Sequence, residues 1–441
     1  MTEQIAVPKT AVGEHGWRVT FAGMGINLAL GILYTWSVIS EGVPIEWGWS
    51  QGDKSLPYSV CCLVFCLIMV PAGWLQDKFG PRVVAAIGGV LVGLGFIISS
   101  MTTSAVGFVV GFGIFAGIGI GFGYASATPP ALKWFPAAKT GMIAGIVVSG
   151  FGFASIYAAP LAKVLLANYG LQKMMFILGI GFLFVITGVK TILTPLWFGL
   201  SQMLQAPNPD MLQIKYLKEH LEAKSAKTQK VVAHDKDNFT PKEMLCTIQF
   251  YILWFMYACG AGAGLMIISV VKKIVAAHVS SEALAIAAVV GLAVGNGGGR
   301  ILAGMMSDKV GRKGTLFLFL IFQAVLIFLL TQARGDSILA TGPVLIIITA
   351  LIGASYGSNL ALFPSFTKDF YGLKNFGVNY GLVFTSWGIG GFMLSFLASK
   401  MYDIHQTFAI AYYGASTLLI LAAVMVFFIK PPRHAFEAFP A

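Results

Sequence analysis

The sequence predicts an all-α membrane protein with twelve transmembrane helices in two pseudo-symmetric six-helix bundles. Three observations support this prediction. Of the 441 residues, 57% are hydrophobic and only 11% are charged, whereas about a quarter of a typical soluble domain is charged. The apolar residues fall into runs of about 20, the length that crosses the hydrocarbon core of a bilayer. One polar motif also occurs in each half of the chain.

The apolar runs give the positions of the predicted helices. In the first half they lie near residues 18–40, 56–76, 83–103, 105–127, 141–161 and 174–198. In the second half they lie near residues 250–271, 283–306, 314–332, 341–362, 377–399 and 407–429. We therefore divide the chain into an N-terminal six-helix bundle, a cytoplasmic linker and a C-terminal six-helix bundle, at residues 1–200, 201–249 and 250–441.

The linker is a long polar stretch that contains seven lysines. Within it, Asp210 can cap a helix. An apolar face would follow, on Met211, Ile214, Leu217 and Leu221. Two interpretations remain open, an amphipathic helix on the membrane surface or a solvated connection between the halves.

The lysines and arginines predict the orientation of the chain. The side that carries both termini holds 20 of the 29 bases, the other side holds seven, and Lys190 and Arg300 lie within spans. The positive-inside rule therefore predicts a plasma (inner) membrane protein with both termini in the cytoplasm. The formal charge of +11 does not indicate nucleic acid, because the bases occupy short connections rather than one soluble face.

The repeated motif joins the second helix to the third and the eighth to the ninth. In each copy a Gly is followed by Asp four residues later, by a second Gly seven residues later and by a base nine residues later. A Gly allows neighbouring helices to touch or the chain to reverse, and an Asp, which we place in the loop, can pair with bases or helix N-termini. The residues are Gly73, Asp77, Gly80 and Arg82 in the first copy, and Gly304, Asp308, Gly311, Arg312 and Lys313 in the second.

This motif resembles the loop signature of the major facilitator superfamily, and the resemblance covers nearly the whole chain. It implies the major facilitator fold, in which two bundles rock around a site near the bilayer midplane. A second repeat agrees with it, since Tyr124 follows Asp77 by 47 residues and Tyr356 follows Asp308 by 48. We expect both tyrosines to face the central axis from opposite halves. The alternative is a position in the interfacial aromatic belt.

Shorter stretches resemble one family within that superfamily, the oxalate/formate antiporters. They are Tyr34-Thr35-Trp36, Lys133-Trp134-Phe135-Pro136, Asn296-Gly297-Gly298-Gly299-Arg300, Leu362-Phe363-Pro364-Ser365 and Asn379-Tyr380-Gly381. The resemblance implies a transporter of small carboxylates. It indicates a class of substrate and not a single substrate.

Arg300 is the charge that we place well inside a predicted span. A guanidinium there costs about 2.5–3.5 kcal/mol on insertion scales, so a functional role is the first interpretation. No acidic residue falls deep in a predicted span, and a guanidinium binds a carboxylate through two parallel hydrogen bonds. We therefore expect the substrate to supply the missing negative charge. The alternative is that Arg300 extends to the cytoplasmic face or bonds to helix carbonyl groups.

The family resemblance gives Arg300 the position of the carboxylate-binding arginine and surrounds it with further substrate-binding residues. They are Tyr34, Tyr124, Tyr356 and Trp387, as walls or hydrogen-bond donors for a small anion, and Asn296, one turn before Arg300.

Two departures from relatives narrow this expectation. Oxalate-handling relatives carry a lysine where this chain has Trp387, so a monocarboxylate such as lactate, pyruvate, formate or acetate fits the single cation better than oxalate does. Monocarboxylate–proton symporters carry an Asp where this chain has Asn296, which cannot titrate. Anion exchange is therefore favoured over proton symport through that pair.

Other functions remain open at this point. A drug or other solute exporter of the same fold, and a membrane sensor that binds without transporting, are both compatible with twelve helices. The sequence contains no catalytic Ser/His/Asp set and no cysteine spacing typical of a metal site. We therefore expect no enzymatic activity and no cofactor, and a chain that acts as a monomer with a small carboxylate and the lipid bilayer as its partners.

Overall fold

The structure is a computed structural model, and it describes residues 9–135, 139–187, 238–276, 278–279, 281–333, 335 and 337–432. All regular structure in these ranges is helical. The helix predicted after Asp210, and most of the linker lysines, lie outside the described residues.

The first half contains the membrane-spanning helices α1 to α6. A long helical segment, Thr140–Ile186, contributes two of them, because Gly170 has φ 75° and ψ 173° and divides α5 before it from α6 after it. The sequence predicted this break between residues 161 and 174. The remaining helices are α1 at Gly16–Glu41, α2 at Gln51–Phe79, α3 at Pro81–Ser100 and α4 at Ala105–Lys133.

The second half contains the helices α7 to α12. They lie at Ile248–Ala276, Glu282–Val310, Arg312–Leu330, Gly342–Tyr371, Phe376–His405 and Ala409–Met425. Ten helical segments of the described chain are long and apolar enough to cross a membrane. Since one of these ten holds both α5 and α6, and α12 adds a shorter apolar helix, the prediction of twelve helices is confirmed.

Several helices extend beyond the predicted spans. Helix α4 continues through Pro129 and Pro130 to Lys133, and α10 continues through Pro364 to Tyr371. Hydropathy marks the hydrocarbon thickness of the bilayer, whereas a helix can continue for several turns outside it. The predicted ends therefore fall short of the observed ones.

The first Gly of each motif lies where the two halves touch. A Cβ atom added at Gly73 on α2 would lie 2.2 Å from the carbonyl oxygen of Gly377 on α11. A Cβ atom added at Gly304 on α8 would lie 2.2 Å from the carbonyl oxygen of Gly141 on α5. Side chains at these positions would force the backbones apart, so the close contact requires glycine.

The placement of the motif aspartates in loops is wrong. Asp77 lies in the last turn of α2 and Asp308 in the last turn of α8. Only Gly80 connects α2 to α3 and only Gly311 connects α8 to α9, with φ of 84° and 97°. A positive φ reverses the chain within one residue, so the helices continue through the polar motif up to that glycine.

Both motif aspartates accept hydrogen bonds from a helix N-terminus in the opposite half. Asp308 accepts from the backbone N–H groups of Gly141 and Met142 at the start of α5, at 2.9 and 2.8 Å, and pairs with Arg312 at 2.6 Å. Asp77 accepts from the N–H of Val378 at the start of α11, at 3.3 Å. A carboxylate is stabilised there by the helix dipole and the free N–H groups. We call the side of the molecule with Gly80 and Gly311 the motif face.

An ion pair joins the halves on the far face, opposite the motif face. Lys272 near the end of α7 donates to Glu41 at the end of α1. On the motif face, Lys368 of α10 donates to the hydroxyl of Thr140 at the start of α5. The two halves are therefore in contact at both faces, and the residues between them are enclosed.

The described end of the linker binds the turn between α10 and α11. The side-chain oxygen of Asn238 accepts from the N–H groups of Leu373 and Lys374, each at 3.1 Å. The carbonyl of Phe239 accepts from the side-chain amides of Asn375 and Asn379, at 3.1 and 3.0 Å. The segment before α7 is thus fastened to the N-terminal end of α11.

Replacing Asp308 should destabilise the protein more than replacing Asp77. Asp308→Asn removes the charge that pairs with Arg312 and binds two N–H groups, so we expect a loss of about 1.5–3 kcal/mol. Asp77→Asn weakens a longer bond and should cost about 0.5–1.5 kcal/mol. Thermal unfolding of both purified variants in detergent measures the difference. Equal shifts of the unfolding midpoint would contradict this assignment.

Candidate functional site

Arg300 lies at the contact between the halves and is completely buried. Its Nε donates to Oδ1 of Asn296, one turn earlier on α8, at 2.9 Å. Its Nη1 donates to the carbonyl oxygen of Val148 on α5, at 2.5 Å. The guanidinium carbon lies 6.0 Å from the ring centre of Phe151 on the same helix. Arg300 is therefore not exposed to solvent, and it donates one hydrogen bond to a helix carbonyl.

Glycines allow α5 to approach Arg300 so closely. A Cβ atom added at Gly145 would lie 2.4 Å from the carbonyl oxygen of Arg300, and one added at Gly152 would lie 2.7 Å from the backbone nitrogen of Gly297. Val148 lies between these two contact points, so its carbonyl reaches the guanidinium. Close backbone contact through small residues is typical of helix packing in membranes.

The site retains hydrogen-bond donors that have no acceptor. Nη2 of Arg300 and Nδ2 of Asn296 are both buried without a partner among the described residues. Arg300 forms no ion pair with a described residue. A buried charge without a counter-ion is costly, so the arrangement suits an anion that accepts from both free donors.

Three of the predicted site residues form a hydrogen-bonded chain. Tyr34 on α1 and Tyr356 on α10 share a hydrogen bond between their hydroxyls, at 2.6 Å. Trp387 on α11 donates from Nε1 to the hydroxyl of Tyr356, at 2.8 Å. Tyr34 belongs to the first half, and the other two belong to the second. The chain therefore connects the halves at the centre of the protein, and we call it the aromatic chain.

The local backbone positions Tyr34. The α-helix that begins α1 ends at Leu30, and a tighter 3-10 turn at Gly31–Thr35 follows before Trp36–Glu41 resumes the α-helix. Gly31 lies against α5, since an added Cβ atom would lie 2.5 Å from the carbonyl oxygen of Phe151. Tyr34 lies within this segment and bonds to Tyr356 from it, and a 3-10 stretch in the middle of a helix often marks a functional hinge.

Tyr124 lies in the same central region but outside the aromatic chain. Its hydroxyl is buried and makes no hydrogen bond with a described residue. Its ring contacts Phe65, Phe151 and Phe384, with ring centres 5.4, 5.7 and 5.2 Å apart. Since Phe384 belongs to the opposite half, Tyr124 also faces the central axis.

Phe151 connects these groups to Arg300. Its ring centre lies 6.0 Å from the guanidinium carbon of Arg300 and 4.9 and 5.7 Å from the ring centres of Tyr34 and Tyr124. The predicted residues Asn296, Arg300, Tyr34, Tyr124, Tyr356 and Trp387 are therefore brought together at one place in the fold.

The sequence analysis missed several residues of this site. Phe65 on α2 contacts Phe151, Phe384 and Trp387, with ring centres 6.0, 5.2 and 5.2 Å apart. Tyr257 on α7 is also buried there. An aromatic residue within a long apolar run gives no signal of whether it faces lipid or the axis. The acceptor at Val148 is a backbone carbonyl, which no side-chain pattern indicates.

The described residues hold no group of three His, Cys, Asp or Glu side chains that could bind a metal ion. Cys61, Cys62 and Cys66 are buried free thiols on α2. What the site offers chemically is binding by one guanidinium, one amide and several phenols.

Comparison with known proteins identifies a family. The sequence model of the Major Facilitator Superfamily matches residues 19–261 and again residues 253–439. The MFS-type transporter YhjX of Escherichia coli is 26% identical over 375 residues, with 85% of each chain covered. The oxalate:formate antiporter of Oxalobacter formigenes is 27% identical over 378 residues, with 84% of this chain and 81% of that protein covered.

Two further similarities are more limited. Human monocarboxylate transporter 11 is 27% identical over 180 residues, which cover 41% of this chain and 38% of that protein. The solved structure of the proton:xylose symporter XylE, bound to 6-bromo-6-deoxy-D-glucose, superimposes with a TM-score of 0.66 at 16% identity. This superposition covers 95% of this chain and 96% of the other, and at that identity it shows the fold alone.

Removing the hydroxyl of Tyr356 should destabilise the protein more than removing that of Tyr34. Tyr356→Phe leaves Nε1 of Trp387 as a buried donor without an acceptor, which costs about 1–3 kcal/mol. Tyr34→Phe removes one hydrogen bond and should cost about 0.5–1.5 kcal/mol. The unfolding midpoints of the two variants in detergent test this order. A larger effect for Tyr34→Phe would contradict this order.

Proposed function

Because the chain belongs to the Major Facilitator Superfamily, and is therefore a multi-pass membrane transporter, we propose that its substrates are small monocarboxylate anions. The proposed class is that of lactate, pyruvate, formate and acetate, moved by alternating access between the two halves. Arg300 is the proposed anion-binding group. The observation that carries the proposal is its buried Nη2, which has no partner among the described residues.

The charge balance supports an anion. The guanidinium is buried at the contact between the halves, and Asn296 and Val148 supply uncharged acceptors to only two of its nitrogens. Nη2 of Arg300 and Nδ2 of Asn296 are both hydrogen-bond donors without an acceptor among the described residues. A carboxylate offers two oxygens with the geometry that accepts from neighbouring N–H groups.

A single cation supports one carboxylate per substrate. The family resemblance locates a second cation of oxalate-handling relatives at the position of Trp387, whose Nε1 here donates to Tyr356. A dicarboxylate would leave one charge unpaired in an enclosed region, at a cost of several kcal/mol. Phe65, Phe151 and Phe384 provide apolar walls that suit a methyl group.

The membrane orientation follows from the charges of the connections. We propose a plasma membrane location in which the motif face is cytoplasmic, because the lysines and arginines concentrate there. We also propose that the protein has no enzymatic activity and that it transports as a monomer.

Transport should depend on the guanidinium of Arg300. In proteoliposomes preloaded with unlabelled substrate, Arg300→Ala should lower counterflow of labelled lactate, pyruvate, formate and acetate by about 10- to 100-fold, because hydrogen bonds to a charged group contribute about 1.5–3 kcal/mol. Arg300→Lys keeps the charge but lacks the planar guanidinium. Its counterflow rate should therefore lie between those of Arg300→Ala and the wild type.

Controls separate binding from folding. Arg18→Ala makes the same chemical change at an exposed position of α1 and should leave counterflow intact. A single size-exclusion peak for each variant checks that the protein is folded, and oxalate should compete weakly with lactate. Undiminished carboxylate flux in Arg300→Ala, or flux of bulky apolar cations in place of carboxylates, would indicate an exporter of another substrate class.

The amide of Asn296 favours exchange of anions over symport with protons. It lies one turn from Arg300 and accepts from Nε, at the position where the resembling proton symporters have a titratable carboxyl. We expect that a pH gradient across the liposome leaves wild-type uptake unchanged. Asn296→Asp introduces a carboxyl beside the guanidinium and should make uptake sensitive to the gradient. Wild-type uptake into unloaded liposomes that is driven by an inward proton gradient would contradict exchange.

A further inference from the structure

The ring of His278 lies between two backbone carbonyl groups on the far face. Its Nδ1 lies 2.8 Å from the carbonyl oxygen of Ile274, and its Nε2 lies 2.8 Å from the carbonyl oxygen of Ala333. Ile274 belongs to the last turn of α7, and Ala333 follows the end of α9 at Leu330. The ring thus joins the outer ends of two helices of the second half. We call this contact the histidine bridge.

The backbone leaves the carbonyl of Ile274 to the ring. The N–H of His278, which would close the next turn of α7 on Ile274, donates instead to the carbonyl of Val275 at 3.0 Å. The N–H of Val279 donates to that same carbonyl at 2.9 Å. The last carbonyls of a helix have no partner within the helix, and they carry its negative end. A donor on the ring of His278 therefore supplies a hydrogen bond that the helix end lacks.

Two acceptors that face one imidazole favour its protonated form. A neutral imidazole has one N–H group and one lone pair, so it donates to only one of the two carbonyls, and the other carbonyl faces the lone pair. An imidazolium donates from both nitrogens. Its positive charge is also stabilised beside the C-terminal ends of helices. The histidine bridge is therefore complete only when the ring carries two protons.

The charged residues nearest to the ring along the chain are Lys272, Lys273, Glu282, Arg334 and Asp336. Lys272 pairs with Glu41 of the first half. The side chains of the other four lie outside the described residues. A carboxylate near the ring would also favour its protonated form, so variants of Glu282 and Asp336 are part of the test.

We propose that His278 is a pH-responsive link on the far face, which joins the ends of α7 and α9 when its ring is protonated and releases one of them when the ring is neutral. Histidine side chains change charge between about pH 5 and 8, so the link responds to the acidity of the medium at that face. Two hydrogen bonds at acidic pH are reduced to one as the pH rises. The inference is independent of the proposed function, since it involves neither Arg300 nor a substrate and moves no proton across the membrane.

Hydrogen exchange of the backbone amides measures how firmly the two helix ends are held. The full-length protein in detergent is compared at about pH 5.5 and about pH 7.5, and each rate is divided by the intrinsic exchange rate at that pH. In the wild type, peptides from the ends of α7 and α9 should exchange about three- to tenfold faster at the higher pH, because one hydrogen bond is lost. Peptides from the start of α7 should show no such change.

Two substitutions each preserve one half of the histidine bridge. The amide nitrogen of His278→Asn can occupy the position of Nδ1, and that of His278→Gln the position of Nε2, but neither amide titrates. Both variants should therefore lose the pH dependence at the two helix ends. His405→Gln makes the same change at an exposed position in the last turn of α11 and should keep it. A single size-exclusion peak checks that each variant is folded, and either His278 variant is sufficient by itself.

Three results would overturn the inference. The first is equal exchange of the wild-type helix ends at the two pH values. The second is an unchanged pH dependence in His278→Asn or His278→Gln. The third is loss of the pH dependence in Glu282→Gln or Asp336→Asn, because a carboxylate, and not the pair of carbonyls, would then hold the second proton. Counterflow in Arg300→Ala tests the proposed function separately, and its outcome does not change the interpretation of these exchange rates.

Discussion

A buried guanidinium without a carboxylate partner is the constraint on which the centre of this protein depends. Arg300 is completely enclosed and donates to an amide oxygen and to a backbone carbonyl. Because the carbonyl belongs to Val148 on α5, this hydrogen bond joins the two halves at mid-depth. Uncharged acceptors offset only part of the cost of burying the charge. The conformation in which the halves enclose Arg300 therefore carries the remaining part of that cost.

Two related contacts on the motif face show how the halves are held around that centre. The repeated motif gives similar arrangements, in which a carboxylate of one half binds the start of a helix in the other, but their strengths differ. Asp308 binds two N–H groups and Arg312, and Arg312 also pairs with Asp369. Asp77 accepts a longer bond from Val378. The α5–α8 side is thus the more tightly held of two related contacts, although the sequence motif is nearly the same.

Much of this fold can be predicted from the sequence, because a bilayer requires each span to be apolar and to satisfy its own backbone. For the same reason, the charge of Arg300, deep within a predicted span, is recognisable as a functional candidate. The helix ends were less predictable. Asp77 and Asp308 lie in helices because polar residues end the apolar run before the helix itself ends. The bond between Tyr34 and Tyr356 joins positions 322 residues apart and depends on the rotation of two helices. Phe65 and Tyr257 could not be distinguished from lipid-facing aromatics.

The attachment of Asn238 and Phe239 to the turn before α11 has a consequence for motion. It ties the beginning of α7 to the beginning of α11 through four hydrogen bonds, so a displacement of one helix at this end is transmitted to the other. Tyr257 on α7 and Tyr380 on α11 would then move together, whereas Tyr124 on α4 belongs to the other half. Opening toward the motif face would then separate Tyr124 from Tyr257 and Tyr380.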